Sequence, residues 1–426
     1  MKKTIRLKNG IQVIYDCIPQ SRQVAFHLFF RAGTFYESGV SPGISHLCEH
    51  MFFRKLNGLQ QDELYFKMES IGATLRGRTF RDFICFDICC LSEYFFQAFD
   101  IISAILYDFT WNQDDLNLEK NVVYKQIESH SKNYDNYMEE LYFGYPEYAV
   151  PIMGERKDIE AIEVNEVNQF KKKFLNCNNA CVVITGAFHS FHLNQAMKIL
   201  QNVENKGEAV KIRRIYPKHS FYRKAKDDRI LPSDTEQSDV KLYFDIDLKK
   251  INIVQIAFVS SILGAGVGSR LSRKMTDLLA LTDSIFSCIN YYNKTFASLS
   301  IEYSVNNRDL IYSLQVLLEE LQNLKKEITQ KDYLASIVYF TKGMEAYRDD
   351  IYQLGFDYGW QEFIMEMCWD IEKQSEENTK ITITDLINTA NQVLTSENLK
   401  TIIFNNRNIE KKTTLQLFLD RFRENL

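Results

Sequence analysis

No apolar run in this 426-residue sequence reaches membrane-spanning length before a charge interrupts it, and the basic start Met1-Lys2-Lys3 to Lys8 has no apolar segment behind it. Neither a membrane span nor a secretory leader is expected. An excess of one charge is also lacking. The net charge of −5 and a pI near 5.9 leave no broad basic footprint for nucleic acid or an anionic membrane. No low-complexity tract is present. The nine cysteines are odd in number, scattered, and mostly set inside apolar runs, which suits free thiols in a reducing compartment better than a disulfide framework. The expected setting is cytoplasmic.

What is present is an ordinary globular balance, 45% hydrophobic and 25% charged, in a chain too long for one core. Two domains are predicted, at 1–201 and 239–426. The stretch 202–238, polar, weakly periodic and holding Pro217 and Pro232, reads as the linker, with Ser220–Tyr222 able to dock locally. Asn9-Gly10 between two short apolar runs predicts an opening hairpin. Strands are predicted at Val24–Arg31, Ala73–Arg78, Phe83–Leu91 and Cys181–Thr185, and helices at Asp62–Ile71, Tyr94–Tyr107 and Asp114–His130. In the second half a strand is expected at Ile253–Val259, then a glycine-rich turn at Gly264–Gly268 and a helix from Ser269. That turn lacks the Lys-Ser/Thr pair and the spacing of a phosphate loop. A hairpin at Ile285–Tyr292 and Phe296–Tyr303, long helices at Asp309–Ile328 and Lys331–Tyr347, and a strand at Leu399–Phe404 follow.

One stretch carries chemistry: His46-Leu47-Cys48-Glu49-His50, a His-x-x-Glu-His order that inverts the commoner zinc box. On a helix the two histidines lie one turn apart on one face, so both imidazoles can bind one ion while Glu49 projects beside them. A carboxylate there can act as general base on a metal-bound water. Pro42-Gly43 and Ser45 predict the turn and cap before the helix, and Met51, Phe52 and Phe53 its apolar side. Cys48 points away from the histidine face and reads as packing.

Taken with Asn9-Gly10, Ala32-Gly33, Glu119-Lys120-Asn121-Val122-Val123, Pro151-Ile152-Met153-Gly154, Val182–Gly186 and Ser269-Arg270-Leu271, the box makes this chain resemble the pitrilysin, or insulinase, family of zinc peptidases. The resemblance implies an α+β fold of two homologous-looking domains, each a mixed sheet layered with helices. It implies zinc held by His46 and His50, Glu49 as general base, and a peptide lying extended along an edge strand near Gly77–Asp82.

The sequence departs from the family at two places. The glutamate that completes the family's zinc site falls on Gln126, seven positions after Glu119 on one predicted helix. A neutral amide oxygen is a poorer zinc ligand than a carboxylate. Glu128 would face the other way, and Glu119 suits a supporting carboxylate better than a ligand. In the second half, the arginine and tyrosine that the family uses on the substrate fall on Thr276 and Asp283, with Arg273 out of register as a stand-in. The resemblance therefore implies a heterodimer whose related partner brings the Arg/Tyr pair. Two-chain bacterial members that trim bacteriocin precursors have a similar size and box. The alternative is a catalytically silent scaffold or binding subunit of the same fold.

Overall fold

A computed structural model describes residues 2–129, 134–213, 216–218, 227–368, 370–406 and 412–426. Strands β1 (Lys3–Arg6), β2 (Gln12–Cys17) and β3 (Gln23–Phe30) lead into helix α1 (Ile44–Arg54). A small hairpin, β4 (Lys55–Leu56) and β5 (Leu59–Gln60), and α2 (Gln61–Ser70) precede the β6 (Leu75–Thr79) and β7 (Ile84–Leu91) pair. Helices α3 (Phe95–Ala104), α4 (Gln113–Ser129), α5 (Tyr134–Phe143), α6 (Arg156–Ala161) and α7 (Val164–Phe174) then reach β8 (Ala180–Gly186) and α8 (Ser190–Gln201). The second half runs β9 (Asp227–Pro232), β10 (Gln237–Asp247), α9 (Ile253–Gly264), a π-helical turn at Ser272–Leu278, β11 (Ile285–Asn293) and β12 (Phe296–Asn306). It ends with α10 (Leu310–Lys326), α11 (Gln330–Tyr347), α12 (Ile351–Gly359), α13 (Ile371–Asn378), α14 (Ile383–Val393), β13 (Leu399–Asn405) and α15 (Lys412–Asn425).

These elements form two compact units that interleave along the chain. The first comprises Met1–Tyr134, Val150–Arg213 and Glu345–Asp370; the second comprises Asp135–Ala149, Arg214–Met344 and Ile371–Leu426. The first unit's sheet has the order β1-β2-β8-β3-β7-β6, the second's β11-β12-β10-β13-β9. Each contains one parallel pair, β2 with β8 and β9 with β13, and is otherwise antiparallel. In both, the first and last strands of the repeat pair in parallel, and the next three strands run outward to an edge. Leaving β1 aside, the two sheets share one topology. The family fold expected from the resemblance is present.

Period-2 alternation on β3 builds the first unit's core. Val24, Phe26, Leu28 and Phe30 are fully buried on one face, where Phe26 meets Phe95 of α3 edge-on at 5.0 Å. Each such ring contributes about 1.5–3 kcal/mol by leaving water. His27 and Phe29 lie on the other face, which the sequence-distant α12 covers. Phe29 packs on Phe356 at 5.4 Å, Thr185 donates to the Ile351 carbonyl at 2.8 Å, and Tyr358 donates to the buried Asp16 at 3.0 Å. The second unit is closed in the same style by α5, where Tyr142 stacks on Tyr243 at 4.1 Å and donates to buried Asp245 at 2.7 Å.

The strand expected at Ile253–Val259 is instead the start of α9. The run Ile253-Val254-Gln255-Ile256-Ala257-Phe258-Val259 is apolar at nearly every position, and such a run has neither a strand's nor a helix's period. Length decides it: the helix continues to Gly264, and Asn252 caps it by accepting from the Val254 and Gln255 amides at 2.8 and 3.3 Å. Gly264–Gly268 therefore follows a helix, not a strand. Within the 202–238 stretch read as linker, Asp227–Pro232 forms β9 and β10 begins at Gln237. His130 and Ser220–Tyr222 lie outside the described residues. Among the described residues no helix is long and apolar enough to cross a membrane.

Candidate metal centre and peptide edge

Helix α1 forms as its sequence predicts, and its entry is fixed from outside. The Glu37 carboxylate accepts from the Gly43 and Ser45 amides at 3.1 and 3.0 Å, so Glu37 serves as the cap while Ser45 lies inside the helix. Gly43 has φ 86°, and a Cβ there would lie 2.7 Å from the Met153 carbonyl oxygen. The Pro151–Gly154 segment thus seats the start of α1, and only glycine fits that contact. Leu47, Cys48, Met51 and Phe52 are fully buried, with Phe52 edge-on to Trp111 at 5.0 Å. Burial pushes the Cys48 thiol well up, which leaves it a packing group.

His46 and His50 share the remaining face, half-buried, with ring centroids 4.5 Å apart. Glu119 of α4 binds His50 Nδ1 at 2.9 Å and holds Arg54 with its other oxygen, Nη2 at 2.9 Å. With Glu119 accepting from Nδ1–H, the lone pair of His50 sits on Nε2. Gln126 stands two turns further along α4, also half-buried. Glu128 turns outward and pairs with Arg156 at 2.6 Å, away from the histidines as its spacing predicts.

Glu49 is 5% exposed and is gripped by the edge strand. Thr79 of β6 donates to Oε2 at 2.9 Å, and a Cβ on Gly77 would lie 2.1 Å from Oε1, so the bare glycine makes room for the carboxylate. Burial pushes the Glu49 carboxyl above its ordinary range, with His50 and the Thr79 bond pulling the other way. Gly77 and Thr79 fall within the stretch expected as the edge strand, but no motif ties either to Glu49. The signal for them is the alternation of β6, which sends Leu75, Gly77 and Thr79 to the α1 side. Strand β6 is the last in its sheet and borders a cavity of about 410 Å³ lined by Glu49, His50, Phe53, Leu75, Gly77 and Val122.

In the second unit Thr276 falls in the π-helical turn and Asp283 in the segment before β11. Arg273 and Arg270 both bind Asp332, at 2.8 and 2.9 Å, so Arg273 is engaged within its own unit.

A sequence profile described as insulinase (peptidase family M16) matches residues 12–144, and one described as peptidase M16 inactive domain matches residues 161–337. The chain belongs to the M16 peptidase family. The M16 chain is 23% identical to the uncharacterized zinc protease YmxG of Bacillus subtilis over 78% of its own length and 81% of that protein. It is 25% identical to the mitochondrial-processing peptidase subunit beta of Saccharomyces cerevisiae over 43% of its length and 40% of that chain. Its fold matches the crystal structure of a peptidase M16 inactive domain from Pseudomonas fluorescens with a TM-score of 0.79 at 19% identity, covering 95% of this chain and 98% of the other.

Proposed function

We propose that this M16 chain is the metal-binding subunit of a two-chain zinc endopeptidase acting on small or unfolded peptides. The observation that carries the reading is the triad of contacts on one turn of α1: His46 beside His50, Glu119 on His50 Nδ1, and Glu49 clamped by Thr79 at the open edge of a sheet. Two imidazoles with a supporting carboxylate fit zinc, and the amide of Gln126 is the weak member of the set. His46, His50 and Gln126 would hold the ion, which when bound polarises a carbonyl and acidifies a water. Glu49 would take the water's proton, and β6 would align the peptide through main-chain hydrogen bonds.

Thr276 and Asp283 supply neither the cation nor the phenol that the family resemblance places there, so a related second chain would bring the Arg/Tyr pair for the developing oxyanion. The mitochondrial-processing peptidase relative, named as a subunit, supports this arrangement. A cytoplasmic site accords with nine unpaired cysteines. A bacteriocin precursor is one peptide of suitable size. Gln126 favours a second reading, a silent scaffold subunit of the same fold.

Gln126→Glu separates the two. With the partner present, the substitution is expected to raise zinc retained at α1, read as the part lost on His46→Ala, by at least tenfold and to raise peptide cleavage with it. Zinc and cleavage both left at background would reject the peptidase reading.

A further inference from the structure

A second group of metal-binding side chains lies away from α1, on the opposite face of the same sheet. His27 of β3 stands directly across from Asp87 of β7, and Cys85 is two residues before Asp87 on the same face. One imidazole nitrogen, the Cys85 sulfur and one Asp87 oxygen all lie within 4.8 Å of one another, and all three residues are buried. Helix α12 roofs the cluster: Tyr352 donates to Asp87 Oδ1 at 2.5 Å, and a Cβ on Gly355 would lie 2.8 Å from His27 Nε2.

Two features separate this group from a satisfied polar core. His27 is fully buried, yet neither ring nitrogen makes a hydrogen bond of normal geometry, although the Tyr352 backbone lies near enough to favour the protonated ring. Buried polar atoms left without partners are costly, so a ligand for one of them is favoured. Burial and the nearby Arg78 hold the imidazole neutral, its pKa down to about 3, which is the form that binds metals. Asp87 is engaged by Tyr352 on one oxygen and by Arg78 at 3.0 Å on the other, and each carboxylate oxygen keeps a further lone pair. The Arg78 guanidinium borders the group, bound to Asp87 and lying over the Phe356 ring at 4.2 Å, so it shares the carboxylate's charge.

We infer that His27, Cys85 and Asp87 form a buried structural site for a thiophilic divalent cation, zinc by its chemistry, that pins the β3–β7 pair beneath α12. One thiolate, one imidazole and one carboxylate make a zinc donor set, with a water or the Tyr352 phenol as fourth partner. Binding breaks the Cys85 S–H bond, releases that proton to solvent and forms the S–metal bond, with no change of oxidation state. Thiolate and carboxylate together bring two negative charges to the ion, the carboxylate's shared with Arg78. The roof implies that the ion enters before α12 closes, during folding.

The inference does not rest on the peptidase reading, and its test removes the α1 histidines. The full chain carrying His46→Ala and His50→Ala, refolded with Co²⁺ as the probe, is expected to retain about one cobalt per chain after gel filtration. It should show the intense near-ultraviolet band of thiolate-to-cobalt charge transfer, which a His/His/Gln site cannot give. Adding Cys85→Ser should abolish the band and cut retained cobalt at least tenfold, and Asp87→Asn should weaken retention. A Cys85-containing chain that refolds with native circular dichroism but shows no band overturns the site. So does a band that survives Cys85→Ser.

Discussion

Helices α1 and α9 occupy the same place in two copies of one topology, each following the strand beside the parallel pair and each touching an edge strand. In the first unit the contact is charged: Glu49 against Thr79 and the bare Gly77. In the second it is neutral: Ser260 pairs with Ser287 of β11 at 2.9 Å, and a Cβ on Gly264 of α9 would lie 2.8 Å from the Ser287 Cβ. Helix α9 has no ionisable side chain along its length. The difference teaches that the scaffold needs only a close helix-to-edge approach. The carboxylate, whose burial raises its pKa, is a cost to stability that the fold does not require. Two histidines and a buried acid were placed on one copy of a contact that holds equally well without them.

Removing the charge breaks the comparison most directly. Glu49→Gln keeps the side chain's volume and its bond to Thr79, and cleavage measured with the partner, in a Gln126→Glu background if zinc is weak, should fall about 10²–10⁴-fold while zinc content holds. Activity within threefold of the parent would show that Glu49 is not the base. Gly77→Ala should come next, at about 10²-fold, because the new methyl would occupy the space of Oε1 and turn the carboxylate away. Its circular dichroism should match the parent, since the strain falls on two side-chain ends, the Glu49 carboxylate and the Phe53 ring edge, and not on backbone. An unchanged rate would place Glu49 elsewhere in the working enzyme.

Much of this asymmetry was legible in the letters. The His-x-x-Glu-His spacing, the Asn9-Gly10 hairpin and the β6–β7 pair follow from short-range rules that no tertiary contact overrides. What the letters hid falls into two kinds. Helix α9 reads as a strand because its first seven residues are apolar at nearly every position, the part-exposed Ile253 and Ala257 included, and such a helix shows no distinct apolar face. The contact of Glu49 with Gly77 and Thr79 is hidden because Thr79 lies thirty residues on, Gly77 two nearer, and no motif links them. The same holds for α12, which lies over 300 residues from the strand β3 it covers, and for the His27, Cys85 and Asp87 group, whose members meet only through register.

A smaller effect sharpens the comparison. Thr79→Val removes the hydroxyl that holds Glu49 and should cost roughly tenfold in kcat with KM nearly unchanged, whereas Thr79→Ser should keep most of the rate. Ser287→Ala, its counterpart in the second unit, should leave cleavage unchanged and lower stability by about 1 kcal/mol, read by denaturant midpoint. Equal losses of rate from both would mean that the two contacts serve structure alone.

The smallest expected change tests whether the first unit's edge tolerates charge only at Glu49. Asp82 sits in the turn joining β6 to β7, and burial pushes its carboxyl up to about 6. In the unfolded chain it titrates near 3.8. Between those values the folded state holds more protons than the unfolded one, so this residue's contribution to stability falls as pH rises from about 4 to 6 and stays low above that. Asp82→Asn removes the half-buried charge. It should raise the melting temperature at pH 7 by a few degrees, corresponding to about 1–2 kcal/mol, and should leave that temperature unchanged at pH 4. A variant that melts lower than the parent at pH 7 would mean that the ionised carboxylate supports the turn, and the unfavourable burial assigned to it would be wrong. The outcome bears on the first unit alone, because Asp245 of the second unit accepts a phenol hydrogen bond from Tyr142 and has Lys400 Nζ at 3.5 Å. An acid buried with such partners is retained at little cost, while one with fewer is retained only where position serves a purpose.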